Sequence, residues 1–489
     1  MTLIKSFPLM GLLILFLIAF IMPLIKNKKV VKILSFASFS SCFILFSASL
    51  NYVIYNGSYF YKIGHFVAPY GIEFKIGVIE CIIALLFAFI SLLITWYSCY
   101  NIEHDIAESK IPLYYLLVNI LVGSLLGIVF SNDMFNVYVF IEIGNLASCG
   151  IVVIKDKKEN IKAGLKYLIM SCLGSGLVLM GIAFLYSMTG HLNMTYIHEI
   201  LINNYMNYPN AIIISLGLFT VGLGVKSALF PLHTWLPDAH SSAPTSSSAI
   251  LSSLVLKAYI IFLINILYRV MGTEIISETP ILNVLLAFGS LGMLMGSVLA
   301  IYQKQLKRII AYSSVAQIGY IYFAIGLGTE LGILICVYHI IGHALTKSAL
   351  FLCSGAMIEK TGQKEISSLK GVGKEMPYTL SLFFISSLSL VGIPLLPGFV
   401  SKWYLAIESI GVNKLYLIIV ILISSLLNAV YYLPISVNGF FGEENLSGKI
   451  YKSKEKSIQE LIPILILVIA MFYVGIYSEA IINLIKLGL

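Results

Sequence analysis

The stretch KSALFPLHTWLPD, residues 226–238, interrupts one of the long apolar runs of the chain, and GIPLLPGFVSK, residues 392–402, interrupts another. The prolines are Pro231 and Pro237 in the first stretch and Pro394 and Pro397 in the second. Proline removes a backbone donor and clashes with the preceding helical turn, so each helix is expected to unwind there. In a membrane, backbone groups freed in this way are tolerated where they line a polar cavity. The two stretches therefore predict a pair of broken helices.

The composition excludes a soluble protein. Of the 489 residues, 59% are hydrophobic and only 11% are charged, and the mean hydropathy is +0.95. A soluble domain carries about a quarter charged residues, because its surface needs a polar coat. The net charge of +8 is explained by lysines in short loops. Nucleic-acid binding is not expected, since no basic stripe with interleaved aromatic residues lies outside the apolar runs. The chain is predicted to be an all-α polytopic membrane protein.

Apolar runs of about 18 residues or more predict about fourteen transmembrane helices. The predicted spans cover residues 3–25, 30–50, 76–98, 111–130, 133–154, 163–187, 210–230, 245–269, 281–302, 308–327, 330–354, 378–402, 414–437 and 460–486. The interrupted runs are spans seven and twelve, five spans apart. Because an odd number of helices inverts the topology, this spacing predicts two inverted five-helix repeats, spans four to eight and nine to thirteen. The expected divisions are residues 1–100, 111–270, 281–437 and 460–489.

Basic residues cluster in the loops that follow odd-numbered spans. They are Lys26, Lys28, Lys29 and Lys32 after span one, Lys155, Lys157, Lys158 and Lys162 after span five, Lys304, Lys307 and Arg308 after span nine, Lys360, Lys364, Lys370 and Lys374 after span eleven, and Lys449, Lys452, Lys454 and Lys456 after span thirteen. Short loops rich in lysine and arginine face the cytoplasm. Both termini are therefore expected on the extracytoplasmic side of the cell membrane.

Ionisable residues inside the spans are costly in lipid and indicate function. Glu142 lies in the middle of span five, and Asn145 shares its helix face. Lys226, just before the first break, is the expected partner of Glu142. Lys257 lies in span eight after a stretch rich in serine. Two alternatives remain: Glu142 is a structural carboxylate held in an ion pair, or Lys226 extends its ammonium to the membrane interface.

Span eleven carries a polar stripe, since His339, His343 and Lys347 recur every four residues. Histidine titrates near neutral pH and suits proton transfer. Lys402 lies at the second break. Two histidines four residues apart can also bind zinc, but no nearby carboxylate or cysteine completes such a set, and no metal site is expected. The other alternative is that each histidine is an ordinary core residue whose hydrogen bonds are made within the protein. Together these charges favour a lateral proton conductor over an organic solute transporter.

The seven cysteines form no C-x-x-C pair, so no iron–sulfur cluster, redox centre or other cofactor is expected in this chain. Five stretches carry a family likeness: residues 131–142, 226–240, 307–314, 343–351 and 398–402. In them the chain resembles the antiporter-like, proton-pumping subunits of respiratory complex I, Mrp-type cation/proton antiporters and membrane-bound hydrogenases. The sequence NVYVF, residues 136–140, resembles the corresponding segment of Mrp D-type and hydrogenase subunits more than that of the complex I subunits.

The resemblance implies fourteen helices, two inverted repeats and a mid-membrane proton path. It implies a Glu142–Lys226 pair, a central Lys257, a relay through His343 and Lys347, and a terminal Lys402. Supporting polar residues are expected at Asp133, Asn145, His233, Asp238 and Gln317. Gln317 departs from family members that have histidine there, which argues against direct proton transfer at that position.

The implied function is proton translocation as one member of a multisubunit complex. That complex is an Mrp-type Na⁺/H⁺ antiporter or a redox pump whose NADH, ferredoxin or hydrogenase chemistry resides in partner chains. The expected partners are other membrane subunits, with protons and, in an antiporter, Na⁺ as the transported ions. Two alternatives are a structural membrane subunit without flux of its own and a stand-alone secondary transporter.

Overall fold

The computed structural model describes residues 2–442 and 455–489, and it is almost entirely helical. Thirteen helices of this part of the chain are long and apolar enough to cross a membrane. They are Phe7–Leu24, Lys28–Asn56, Val78–Asp105, Glu108–Phe130, Met134–Val153, Lys158–Thr189, Pro209–Lys226, Thr245–Ser277, Ile281–Ile301, Leu306–Gly326, Glu330–Thr361, Tyr416–Phe441 and Ile458–Ile476. The fold class is therefore confirmed as an all-α polytopic membrane protein.

The remaining predicted crossing, span twelve, consists of two short helices, Pro377–Val391 and Pro397–Gly411. Span seven is also broken, because helix Pro209–Lys226 ends and a short helix, Leu236–Ser242, follows after nine residues. Both predicted breaks are confirmed. The last predicted span, 460–486, differs from the structure, where Ile458–Ile476 is followed by a separate helix, Ser478–Lys486.

The break in span seven is closed by polar contacts with its own backbone and with span ten. The indole Nε1 of Trp235 donates to the carbonyl oxygen of Val225 at 2.8 Å. The hydroxyl groups of Ser227 and Tyr322 lie 2.8 Å apart. Backbone groups buried at a helix end need such partners, since an unpaired group costs free energy. The break is thus held in place rather than frayed.

Span eight is the most irregular of the long helices. It contains two π-helical segments, Leu251–Val255 and Asn265–Met271, on either side of an α-helical segment, Leu256–Ile264. Single π-helical turns widen a helix and recur at functional sites. The intervening segment carries Lys257, which is completely buried.

The loops at one end of the helices are joined by a short antiparallel hairpin, strands Tyr59–Lys62 and Glu73–Ile76. Helix Met194–Asn204 lies in the loop between spans six and seven. The carboxylate of Glu73 accepts hydrogen bonds from the side-chain amides of Asn132 at 2.7 Å and Asn193 at 2.9 Å. These contacts tie together loops that follow even-numbered spans.

Ion pairs join the lysine-rich loops that follow the odd-numbered spans. Lys28 pairs with Glu108 at 2.7 Å, and Lys110 pairs with Asp156 at 3.0 Å. Lys364 reaches Glu159 at 3.3 Å. The odd-numbered loops therefore lie at one end of the protein. Of the basic residues expected there, Lys449, Lys452 and Lys454 lie outside the described residues.

Candidate functional site

The predicted pair of Glu142 and Lys226 is linked through a third side chain, Asn145. The Nζ of Lys226 donates to the Asn145 Oδ1 at 2.9 Å, and the Asn145 Nδ2 donates to the Glu142 Oε2 at 3.3 Å. No direct ion pair is formed within 4.0 Å. The two side chains predicted to be partners are thus joined indirectly. Asn145, on the same helix face as Glu142, occupies the space between them.

Lys226 is the last residue of helix Pro209–Lys226, and its side chain is buried. It also donates to the Ser171 hydroxyl at 3.2 Å, and its Nζ lies 5.3 Å from the ring centroid of Tyr259. The Tyr259 hydroxyl donates to the same Asn145 Oδ1 at 3.2 Å. Span five thus contributes two side chains to this cluster, Glu142 and Asn145, and spans six, seven and eight contribute one each. A cation over an aromatic face is stabilised without a counterion.

Hydroxyl and carbonyl groups of spans eight and ten lie between Lys257 in span eight and Lys347 in span eleven. The Nζ of Lys257 donates to the backbone carbonyl of Ser252. The Ser252 and Ser314 hydroxyls lie 3.1 Å apart. Ser314 and Lys347 then donate to the same carbonyl, that of Ile310, at 3.1 and 2.8 Å. The two lysines, far apart in sequence, are therefore connected through span ten.

Lys347 is also hydrogen-bonded to the hydroxyl of Ser313, which lies 2.6 Å from the Tyr432 hydroxyl. No solvent reaches the Lys347 side chain, whose exposed fraction is 0%. The ammonium therefore has only hydroxyl and carbonyl partners.

The two histidines of span eleven lie beside the break in span twelve. The Nδ1 of His339 lies 2.8 Å from the Ser401 hydroxyl, and the rings of His339 and His343 stack at 6.0 Å. Both ring nitrogens of His343 and the Nε2 of His339 are buried and have no hydrogen-bond partner among the described residues. The histidines border a cavity of about 10 Å³ against Leu390 and Pro397. That volume is near the smallest that accommodates one water molecule.

Lys402 lies in the second half of span twelve, not within the break itself. Its Nζ donates to the carbonyl oxygens of Leu390 at 2.6 Å and Val391 at 3.0 Å, at the end of the first half. It also lies 5.0 Å from the ring centroid of Tyr320. A cation at a helix C-terminus is favoured by the helix dipole. Lys402 thus resembles Lys226 in facing a tyrosine ring, but its hydrogen bonds go to backbone carbonyls.

The supporting residues divide into a buried and a peripheral group. Gln317 is buried in span ten, and neither of its amide atoms has a partner among the described residues. His233 is buried against the rings of Phe230 and Tyr312. Asp238 forms ion pairs of 2.7 Å with Lys166 and Arg308 and is partly exposed. Asp238 therefore anchors the broken span at the lysine-rich end and does not join the buried lysines.

Asp133 caps helix Met134–Val153, because its side chain accepts from the Asn136 backbone N–H at 2.8 Å. Burial raises the pKa of its carboxyl, although hydrogen bonds from the backbone N–H groups of Asn136 and Phe135 oppose that shift.

The prolines lie at the two breaks: Pro231 in the non-helical stretch, Pro237 near the start of the short helix, Pro394 between the halves of span twelve, and Pro397 at the start of its second half.

We call the following set the polar row: Glu142, Asn145, Lys226, Lys257, Lys347, His343, His339 and Lys402. Its four lysines are buried, and within the described part of the chain none of them forms an ion pair. No three side chains of histidine, cysteine, aspartate or glutamate cluster as metal ligands among the same described residues. The polar row therefore collects groups that can donate and accept protons from five spans.

Several polar-row contacts were not predicted from the sequence. Tyr259, Tyr320 and Ser401 contact the row from neighbouring spans, and Ser252 and Ser314 connect two of its lysines. The unusual density of hydroxyl residues before Lys257 was the one available signal for the serines. Another residue, His240, is buried with both ring nitrogens lacking a partner in the described structure.

Comparisons with known proteins identify the family. The family model for "NADH:quinone oxidoreductase/Mrp antiporter, TM" matches residues 131–428. The chain is 34% identical to NADH-quinone oxidoreductase subunit N of Desulforudis audaxviator (strain MP104C), covering 86% of this chain and 85% of that protein. It is 28% identical to an Na(+)/H(+) antiporter protein of Bacillus subtilis (strain 168), the D-type member of that antiporter, covering 92% of this chain and 90% of that protein.

A solved structure has the same fold. A chain in the membrane-bound sulfane sulfur reductase, an archaeal respiratory membrane complex, superposes with a TM-score of 0.88 at 26% identity, over 100% of this chain and 97% of that one. The predicted resemblance to complex I, Mrp and related membrane complexes is confirmed. The chain belongs to the NADH:quinone oxidoreductase/Mrp antiporter membrane family.

Proposed function

We propose that this chain translocates protons along the polar row, from Glu142 to Lys402, as one member of a multisubunit membrane complex. The observation that carries the proposal is the row of four buried lysines without ion pairs. A charge at membrane depth is costly, so such residues persist where they serve transport. The relatives from Desulforudis audaxviator and Bacillus subtilis are themselves subunits, which supports assembly with other membrane chains.

The geometry supports stepwise transfer within the row. Lys226 donates hydrogen bonds to Asn145 and Ser171, so the acceptors for its ammonium protons are already in position. Between Lys257 and Lys347, the Ser252 and Ser314 hydroxyls and the Ser313 hydroxyl supply exchangeable protons. Buried polar atoms without a protein partner, as at His343, are sites where ordered water binds and completes such routes.

The test measures proton movement in vesicles that contain the intact complex. We expect Lys226→Ala and Glu142→Ala to reduce the rate of proton translocation at least tenfold while the complex still assembles. The matched controls are Lys62→Ala and Glu199→Ala, which change exposed residues outside the spans. Unchanged proton movement in the first pair would overturn the proposal. Loss of assembly alone, with normal flux in whatever complex forms, would favour a purely structural role.

Exchange with Na⁺ is a second candidate, favoured by the similarity to an Na(+)/H(+) antiporter protein. In that case a Na⁺ gradient imposed across the vesicles drives proton movement without an electron donor. Proton movement that requires NADH, ferredoxin or hydrogen instead identifies a redox pump. Activity of the purified chain without partners would identify a stand-alone transporter.

We also propose that the two breaks mark inverted repeats, spans four to eight and nine to thirteen, and that both termini are extracytoplasmic. The proposal is supported by the five-span spacing of the breaks and by the lysine-rich loops at one end. Residues 111–270 and 281–437 are then the two repeats.

A further inference from the structure

A cleft of about 340 Å³, lined by none of the polar-row residues, opens at the lysine-rich end of the helices. It lies between span nine, the start of span ten, span thirteen and the loop after span eleven. Its inner wall is apolar and includes Ile309, Val430 and Ile435. Its mouth is polar and includes Gln303, Lys370 and Asn438. We call it the interhelical cleft.

The interhelical cleft is open to the bilayer. Val430 is 53% exposed, and Ile301 at its edge is 37% exposed. Further along span thirteen, Ile419, Leu422 and Leu426 are also exposed, so this face continues as an apolar surface toward the membrane centre. An occupant with a hydrocarbon chain can therefore enter the cleft from the lipid without crossing a polar barrier.

The mouth of the cleft carries a net positive charge, because Lys370 and its neighbour Lys304 outnumber the one nearby carboxylate of the described residues, Glu365. Lys28, Lys110 and Lys155 at the same end each pair with a carboxylate. Lys370 and Lys304, in contrast, form no ion pair within the described residues. The Lys304 backbone carbonyl accepts from the Ile366 N–H at 2.9 Å, which holds their two loops together.

The polar groups at the mouth differ in how far they are already satisfied. Gln303 is fully engaged, since its side chain bonds the Leu299 carbonyl at 3.1 Å and Arg308 at 3.1 Å. The nearby carboxylate of Glu365 accepts from the Ser367 hydroxyl at 3.3 Å and lies more than 4.0 Å from Lys370. The Lys370 ammonium is thus the group left to bind an anion.

We propose that the interhelical cleft binds an anionic phospholipid, with its phosphate at Lys370 and one acyl chain along Val430 and Ile435. Basic pockets between membrane helices bind such headgroups, and each lysine near the bilayer surface contributes to the attraction. A free phosphate ion would leave the apolar wall of the cleft facing water. A neutral lipid would leave the charge of Lys370 and Lys304 unbalanced.

The test uses the purified intact complex, stripped of native lipid and titrated with phosphatidylglycerol or phosphatidylcholine, with bound lipid counted by native mass spectrometry. We expect phosphatidylglycerol to bind more tightly, and Lys370→Gln to weaken it about fivefold. The matched control is Lys26→Gln, an exposed lysine without an ion pair in the described structure, in the loop after span one. Equal binding by the two variants, or equal binding of the two lipids, overturns the proposal.

A second variant tests the apolar wall without changing charge. Val430→Trp fills the cleft and is expected to release the lipid, whereas Ile419→Trp alters an exposed residue of the same helix outside the cleft. If inorganic phosphate competes fully while Val430→Trp has no effect, the site binds an anion but not a lipid. A partner chain cross-linked to residue 430 would also contradict the proposal, because protein would then fill the cleft.

Discussion

At the scale of single residues, Asn145 explains how a carboxylate and a lysine communicate without forming an ion pair. An amide offers an acceptor and a donor in one rigid group. Asn145 uses the oxygen for Lys226 and the nitrogen for Glu142. A direct buried ion pair would hold the proton strongly at Lys226, since opposite charges in contact stabilise each other. In the proposed function, the interposed amide keeps Glu142 close to Lys226 without the direct contact that would hold the proton there.

Asn145→Leu is predicted to abolish this link. Lys226 loses an acceptor and Glu142 loses a donor, and a hydrogen bond to a charged group contributes about 1.5–3 kcal/mol. We expect proton translocation to fall roughly tenfold or more, measured in vesicles containing the assembled complex. The control is Leu146→Ala at the adjacent position, whose side chain is 66% exposed toward the lipid. Wild-type rates in Asn145→Leu would show that Glu142 and Lys226 work without the amide.

Lys402 depends on the ring of Tyr320 in place of a counterion. The cation lies 5.0 Å from the ring centroid, a contact that contributes up to about 2 kcal/mol when water is excluded. We predict that Tyr320→Leu slows proton translocation several-fold and that Tyr320→Phe, which keeps the ring, retains most of it. Equal loss in both variants would assign the role to the hydroxyl, which lies 3.3 Å from the Ile421 carbonyl.

The charged residues of the site were predictable because each one is costly in lipid, so its presence in an apolar run is itself a signal. The side chains that these charged residues contact could not be predicted. Asn145 was singled out as a neighbour of Glu142, but its contact with Lys226 joins residues 81 positions apart. Tyr259 and Tyr320 are ordinary residues of an apolar span until the helices pack around them. A sequence pattern shows which side chains share one face of a helix, but it does not show which other helix packs against that face.

At the scale of helices, one indole is among the contacts that hold the break in span seven. Trp235 is buried, packs against Tyr167 at a ring distance of 4.9 Å and donates to the Val225 carbonyl. We predict that Trp235→Phe, which keeps an aromatic ring but removes the donor, lowers the stability of the complex by about 1 kcal/mol. The measurement is the midpoint of thermal denaturation in detergent. Trp403→Phe, at a side chain 56% exposed, is the control and is expected to leave that midpoint unchanged.

Spans nine and ten approach each other through glycine. A Cβ atom added at Gly319 would lie 2.7 Å from the Gly289 carbonyl oxygen, and one at Gly296 would lie 2.6 Å from the Ala316 nitrogen. Small residues allow such close backbone contact between membrane helices. Gly319→Ala is therefore predicted to destabilise the protein by about 1–3 kcal/mol through overpacking.

The control for that substitution is Gly176→Ala, since a Cβ atom at Gly176 meets nothing within 4 Å. Alanine favours the helix more than glycine, so this variant is expected to be neutral or slightly more stable. The midpoints of thermal denaturation of the two purified variants measure this difference in stability. Equal midpoints would show that spans nine and ten can separate without cost.

The breaks themselves were predictable, because proline cannot donate and its ring clashes with the preceding turn. The exact ends of the broken helices could not be predicted, since helix Pro209–Lys226 ends five residues before Pro231. The π-helical segments around Lys257 were also beyond prediction, because no residue type marks them.

At the scale of the whole molecule, the two ends of the protein differ in how their loops are held. At one end, ion pairs such as Lys28–Glu108 and Lys364–Glu159 join side chains of opposite charge from neighbouring loops. At the other, Glu73 joins the side chains of Asn132 and Asn193 near the hairpin. Acidic residues contribute little to membrane orientation, so the lysines of the first end still govern it. The ion pairs stabilise that end without cancelling its effect on topology.

The orientation that follows can be measured with single cysteines in a background where the seven native cysteines are replaced. Asn203→Cys and Lys157→Cys both introduce an exposed thiol, the first in helix Met194–Asn204 and the second in a lysine-rich loop. On intact cells, a membrane-impermeant maleimide is expected to label Asn203→Cys at once and Lys157→Cys only after permeabilisation. The physical reason is that the lysine-rich loops are retained in the cytoplasm during insertion. The reverse labelling would place both termini in the cytoplasm and would invert the polar row relative to the membrane potential.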